Sequence, residues 1–173
     1  MLGSAPGSGW NSCRLCPVGE PILRAVLADR PIAPGALLER FVAEAEGAGA
    51  VVSFCGVARP AGQDGAAVAR LRLDHHPRLT LRSMEAITAD GAARFDVARL
   101  LVVHRCGPIA PGETIVFVAA AARHRRAAFL AADYVMDRLK TDAVFWKKEE
   151  GVDGGRWIEP SAADRADRAR WED

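Results

Sequence analysis

The chain of 173 residues has little of what marks the commonest functional classes. Its formal net charge is only +1, so no global field draws it to nucleic acid or to a membrane surface. Anion recognition therefore has to come from local clusters. The uncharged run Gly47–Ala58 falls short of the ~18–20 apolar residues that a membrane span needs. The first residues, MLGSAPGSGW, lack a basic stretch followed by an apolar one, so no secretory signal is read and the cytoplasm is the expected compartment. There is no G-x-S-x-G, H-E-x-x-H, P-loop or G-x-G-x-x-G, which removes most support for serine-hydrolase, zincin and nucleotide-fold readings.

Cysteine is also sparse. Cys55 and Cys106 lie in apolar strand-like runs and are expected as small buried hydrophobes, not as half of a disulfide framework. Cys13 and Cys16 have zinc or redox spacing, but no second pair stands at matching spacing. They also sit in a Gly/Ser-rich stretch instead of a strand–helix junction. Accidental spacing is the favoured reading, and neither metal nor cofactor is expected.

What is present is an ordinary globular composition, 50% apolar and 26% charged, with length for one domain and a real core. Residues 1–20 read as a disordered leader, 21–160 as the domain and 161–173 as a charged tail, a marginal helix at best. Strands are expected at Ile22–Leu27, Ala50–Val57 (buried), Val68–His75, Leu100–His104 and Thr114–Ala120. Helices are expected around Leu37–Ala45, from Thr80 as cap to Ala93, and from about His124 to Lys140. The last would bury Phe129, Ala132, Val135, Met136 and Leu139. Val144–Glu149 and Arg156–Glu159 read as a hairpin. Helices that do not alternate strictly with strands point to an α+β domain with a mainly antiparallel sheet.

The richest stretch for chemistry is MDRLKTDAVFWKKEE, Met136 to Glu150. Lysines beside Phe145 and Trp146 can lose solvent, and desolvation turns an ammonium into a reactive amine or a tight anion anchor. In an extended segment Lys147 shares a face with Phe145 and Glu149, while Lys148 shares one with Trp146. Alternation alone does not say which of the two enters a pocket. Arg123, His124, Arg125 and Arg126 stand where a strand hands over to a helix, a place that suits a phosphate or carboxylate. A solvated basic turn is the plainer reading of that cluster. Arg59 closes the second strand and opens a Gly-containing loop, although a lone arginine there is more often simply on the surface. His75 and His76 read as a strand-end pair.

Six segments, in order, resemble the large, catalytic subunit of molybdopterin synthase: GAVVSFCGVAR (49–59), LDHHP (73–77), VVHRCGPIAPGETIVFV (102–118), RHRRAAF (123–129), YVMDRLKTDAVFWKKE (134–149) and RWIE (156–159). The resemblance covers roughly residues 22 to 160 and implies an α/β-hammerhead-like α+β fold. It also implies a sulfurtransferase of molybdenum-cofactor biosynthesis. A small ubiquitin-like subunit would insert its Gly-Gly C-terminus, carried as a thiocarboxylate. Two sulfurs would pass to cyclic pyranopterin monophosphate to make the molybdopterin dithiolene. The implied assembly is a homodimer with a small subunit at each distal end, a heterotetramer without nucleic acid or membrane.

The family's functional lysines fall on Lys140 and Lys147, and its substrate-binding positions on Arg59, His124, Arg125, Phe54 and Met136, with Lys148 beside them. Its arginine supplied across the dimer falls on Arg156. Where members often carry a lysine two residues before the first arginine, this chain has Val57. Arg125 and Lys140 are 15 positions apart, about 22 Å on one helix at ~1.5 Å per residue, so a small pterin would not span them. A composite pocket is expected, with the lysines from one chain and His124–Arg125 from its dimer mate. Two other readings compete: a non-catalytic scaffold for a ubiquitin-like carrier, and an RNA-binding module using residues 123–126. Near-zero net charge and scarce aromatics weaken the latter.

Overall fold

The computed structural model describes residues 21–62, 65–151 and 154–172. The leader with Cys13 and Cys16 therefore lies outside the described residues. Along the chain run β1 (Ile22–Ala28), α1 (Pro34–Ala43), β2 (Ala50–Val57), β3 (Arg70–His75), α2 (Pro77–Phe95), β4 (Val97–Arg105), β5 (Gly107–Ile109), β6 (Thr114–Ala122), α3 (Arg125–Thr141), β7 (Phe145–Gly151), β8 (Gly154–Ile158) and α4 (Ala162–Ala169). They form two four-stranded sheets, ordered β1-β4-β6-β2 and β5-β3-β7-β8. Every pairing is antiparallel except β1 with β4. The architecture is the expected α+β, and no helix among the described residues is long and apolar enough to cross a membrane.

Strand β6 shows how the first sheet is covered on both faces. Its sequence TIVFVAAAA alternates by the two-residue period of a strand. Val116, Val118, Ala120 and Ala122 face the cluster built with α2 and α3, while Phe117, Ala119 and Ala121 face Phe41 of α1. The alanines are small because helix α3 comes close, meeting them with its own Ala128, Ala131 and Ala132. A Cβ on Gly91 of α2 would lie 2.9 Å from the Val135 side chain, so only glycine permits this spacing of α2 and α3. Dense packing of this kind leaves little room for volume changes.

Several expectations are corrected. Helix α2 begins at Pro77, not after Thr80: proline suits the first helical position, and the His76 ring caps the turn by accepting from the Leu79 N–H at 3.3 Å. Thr80 is instead buried, and its hydroxyl donates to the Val144 carbonyl at 2.6 Å, tying α2 to the segment before β7. Phe129 is 60% exposed, because the buried stripe of α3 is built on the small residues one position away. Strand β2 is an edge strand, so Phe54, Cys55 and Val57 are exposed where a buried run was expected; Cys106 is buried. Gly107–Ile109, expected as loop, pairs with β3.

The tail is more than a marginal helix. Ser161 and Asp164 form a reciprocal capping box at the start of α4. Arg170 pairs with Asp133 and Asp137 of α3, and the Trp171 indole N–H donates to Asp137 Oδ2 at 2.7 Å. The Trp171 ring meets Phe95 and Tyr134 edge-on, with centroids 5.7 and 5.4 Å away.

Candidate active site

A cavity of about 480 Å³ opens at the β7–β8 hairpin, lined by Arg59, Lys147, Glu149, Arg156, Trp157, Ile158 and Glu159. Strand alternation decides its chemistry. Lys147 stands opposite Leu73 of β3 and Ile158 of β8 and turns to the inner face with Phe145 and Glu149. Lys148 turns the other way. Its ammonium sits 5.6 Å over the Trp157 ring, outside the cavity lining. The choice between them, open in the sequence, thus falls to Lys147. Trp146, expected to help dry the site, is exposed.

Burial lowers the Lys147 pKa from its ordinary value, and it is the largest cause; Arg59 and Lys140 push it the same way, while Glu149 and Asp164 oppose them. Its ammonium has no hydrogen-bonded carboxylate among the described residues. An anion entering the cavity would supply the missing countercharge. Glu149 is already engaged, accepting from Arg156 at 2.9 Å across the strand pair. Phe145 is held from behind by the His104 ring, stacked at 4.3 Å and 25°. Burial drives the His104 pKa down to about 4, and its Nδ1 donates to the Arg105 carbonyl at 2.8 Å. The ring is therefore a neutral wedge behind β7.

Lys140, in the last turn of α3, lies outside the lining but near enough to act on Lys147 through its charge. Its Nζ is 2.7 Å from Asp164 Oδ1 of the tail helix. Arg156, expected from a dimer mate, reaches the cavity of its own chain. Met136 packs against the main core, and Phe54 lies on the exposed edge strand. His124 and Arg125 open α3 at the end far from Lys140, both exposed, with the His124 side chain making no capping bond. The structure thus brings Arg59, Lys147 and Arg156 together with Lys140 adjacent, and leaves His124, Arg125, Phe54, Met136 and Lys148 outside the cavity lining.

Sequence reasoning named Glu149 only as sharing a face with Lys147, and did not single out Trp157, Ile158, Glu159 or Asp164. A signal for Asp164 was present: Ser161-Ala-Ala-Asp164 has the spacing of a capping box. What that spacing does not reveal is the lysine on the far side of the same carboxylate.

The chain matches the family model described as MoaE protein over residues 27–142. It is 51% identical over 146 residues to the molybdopterin synthase catalytic subunit of Caulobacter vibrioides, covering 84% of this chain and 95% of that protein. The solved molybdopterin biosynthesis MoaE protein from Burkholderia ambifaria superposes with a TM-score of 0.70 at 35% identity, covering 87% of this chain and 97% of that one. A chain from the complex of subunits 1 and 2 of the molybdopterin-converting factor of Helicobacter pylori shares the fold, with a TM-score of 0.64 at 18% identity over 80% of this chain and 90% of that one. On these matches, the chain belongs to the MoaE protein family.

Proposed function

We propose that this chain is the catalytic subunit of a molybdopterin synthase, a sulfurtransferase of molybdenum-cofactor biosynthesis. The observation that carries the reading is the half-buried Lys147 in a cavity shared with Arg59 and Arg156, in a chain of this family. The small subunit's C-terminal thiocarboxylate is an anion, and cyclic pyranopterin monophosphate carries a phosphate. Both are anions that suit a cavity lined by Arg59, Lys147 and Arg156, where the Lys147 ammonium has no hydrogen-bonded carboxylate among the described residues.

In this reading the thiocarboxylate tail threads toward Lys147. Its sulfur attacks a pterin carbon and displaces an oxygen there, giving a thioester. Water then hydrolyses that thioester, leaving the sulfur on the pterin and the tail as a carboxylate. Both steps build negative charge that partly desolvated cations stabilise far better than water does. Lys147 and Lys140 serve that charge, and Arg59 and Arg156 orient the substrate. His124 and Arg125 are too far along α3 to join their own chain's Lys140 at one small substrate. A second copy supplies them, completing a composite site in a homodimer, with one small subunit per site in a heterotetramer. The cytoplasm, where the pathway's soluble intermediates would be available, is the compartment of this reading.

The test mixes the chain with a thiocarboxylated small subunit and the cyclic pterin and measures dithiolene product. Product formation is expected. A stable complex that makes no product would favour the non-catalytic scaffold instead.

A further inference from the structure

We propose, resting on the sulfur-transfer reading, that Asp164 of the C-terminal helix is a positioning residue for the reaction, holding the Lys140 ammonium at the rim of the cavity. The need arises from like charge. Arg59, Lys147 and Arg156 share one cavity, and Lys140 adds its field to theirs. The Lys140 side chain is 56% exposed, so repulsion and rotamer entropy both favour swinging it out into water.

Asp164 opposes that swing with a carboxylate that is itself already ordered. Only 19% of its side chain is exposed. Oδ2 accepts from the Ser161 N–H at 2.9 Å and from the Ser161 hydroxyl at 2.7 Å, which leaves Oδ1 to meet Lys140 at 2.7 Å. An exposed ion pair usually contributes little because two mobile side chains must both be ordered; here one of them comes fixed. The helix that carries it is fastened to α3, the helix that carries Lys140, by Arg170 and Trp171 on Asp137 and by Arg168 on Asp142 at 3.0 Å. Asp164 and Lys140 are therefore held to the same rigid body.

The arrangement positions without blocking. An ammonium has three N–H donors, and Asp164 offers it one oxygen while the other is occupied by the cap. Two donors remain for an incoming anion. Asp164 keeps its charge throughout the working range, since its pKa is lowered to about 2, with Lys140 and Ser161 opposing the effect of burial. It also acts on Lys147, which is faced by Glu149, Arg59, Lys140 and Asp164, with Arg156 and Glu159 on the same cavity wall. Removing this one negative charge leaves the Lys147 ammonium less favoured.

The experiment compares full-length wild type, Asp164→Asn, Asp164→Glu and Asp167→Asn in the reconstituted reaction with the thiocarboxylated small subunit and the cyclic pterin. Asp164→Asn is expected to lower turnover roughly ten- to a hundredfold, the scale set by a small misplacement of a reacting group. The basic limb of the pH–turnover profile should move to lower pH, with KM for the small subunit little changed. Asp164→Glu should recover part of the loss, and Asp167→Asn, the same chemical change on the same helix, should leave turnover at the wild-type level. Wild-type or higher turnover in Asp164→Asn overturns the proposal, the latter by marking Asp164 as an obstacle. A loss with an unmoved pH limb and no recovery in Asp164→Glu also overturns it, because that is the signature of a helix cap alone. Failure of the sulfur-transfer reading would show differently, as a wild-type chain that makes no product.

Discussion

Lys140 and Lys147 stand only seven positions apart in the chain, yet they are held by opposite means. Lys147 sits on an inner strand, between Leu73 and Ile158, where neighbouring strands fix the backbone and burial works against its charge. Lys140 sits on the last turn of α3, well exposed, and is held by a carboxylate from residue 164. One position is set by packing and the other by charge. A site that combines them has a strand-held, half-buried cation whose charge burial disfavours and an arriving anion would favour, and a wetter one whose direction depends on an ion pair. The two should therefore respond differently to mutation, acid and loss of the tail.

The sharpest break in the comparison comes from the strand side. Lys147→Ala should lower turnover by roughly a hundredfold or more, the scale of losing a preorganised charge at the reacting centre. Binding of the small subunit, measured by titration calorimetry, should stay close to wild type. Lys148→Ala is the matched control, since its ammonium lies over the Trp157 ring and the residue itself is not part of the cavity lining. Equal damage from the two variants would mean that alternation along β7 does not decide which lysine works.

Acid should separate the two regions. His104 has a folded pKa of about 4 against an ordinary 6.5, so the unfolded chain takes up its proton first as pH falls. The neutral ring's contribution is complete above 6.5 and is lost progressively down to about 4, for a total of about 3 kcal/mol at ~1.4 kcal/mol per unit. Asp164 has the reverse sign: its lowered pKa favours the fold above the ordinary 3.8 and that contribution is lost as pH falls toward 2. Urea unfolding at pH 7, 5.5 and 4 should show stability falling over the histidine window. A His104→Phe variant should lose that slope. An unchanged slope in the variant would place the acid sensitivity elsewhere.

The smallest expected effect isolates the tail. Ser161→Ala removes the hydroxyl half of the capping box and should cost about 1 kcal/mol, the usual value for a lost helix cap. Hydrogen exchange should quicken in α4 while β7 keeps its protection. Equal quickening in both would show that the tail supports the strand region as well as Lys140.

Much of this was legible in the sequence, and the reasons for the exceptions are specific. The β7–β8 hairpin, the bounds of β2 and the course of α3 follow from local periodicity and from turn residues. Those signals depend on neighbours within a few positions. The burial of β2 and of Phe129 was misjudged because burial depends on which strand lies at a sheet edge and on how close a helix can approach, and an apolar run says neither. His76 took the cap from Thr80 because the Thr80 hydroxyl was required 64 positions away, at the Val144 carbonyl.

The sequence by itself determined the α+β elements, the family and the identity of the cations, since all three rest on residue types in fixed order. Only the tertiary structure decided that Lys147 and not Lys148 lines the cavity and that Arg156 of the same chain reaches it. It alone also brought Asp164 onto Lys140. Each of these is a meeting of side chains far apart along the chain, and such meetings are set by the packing of one element on another, which no local pattern encodes.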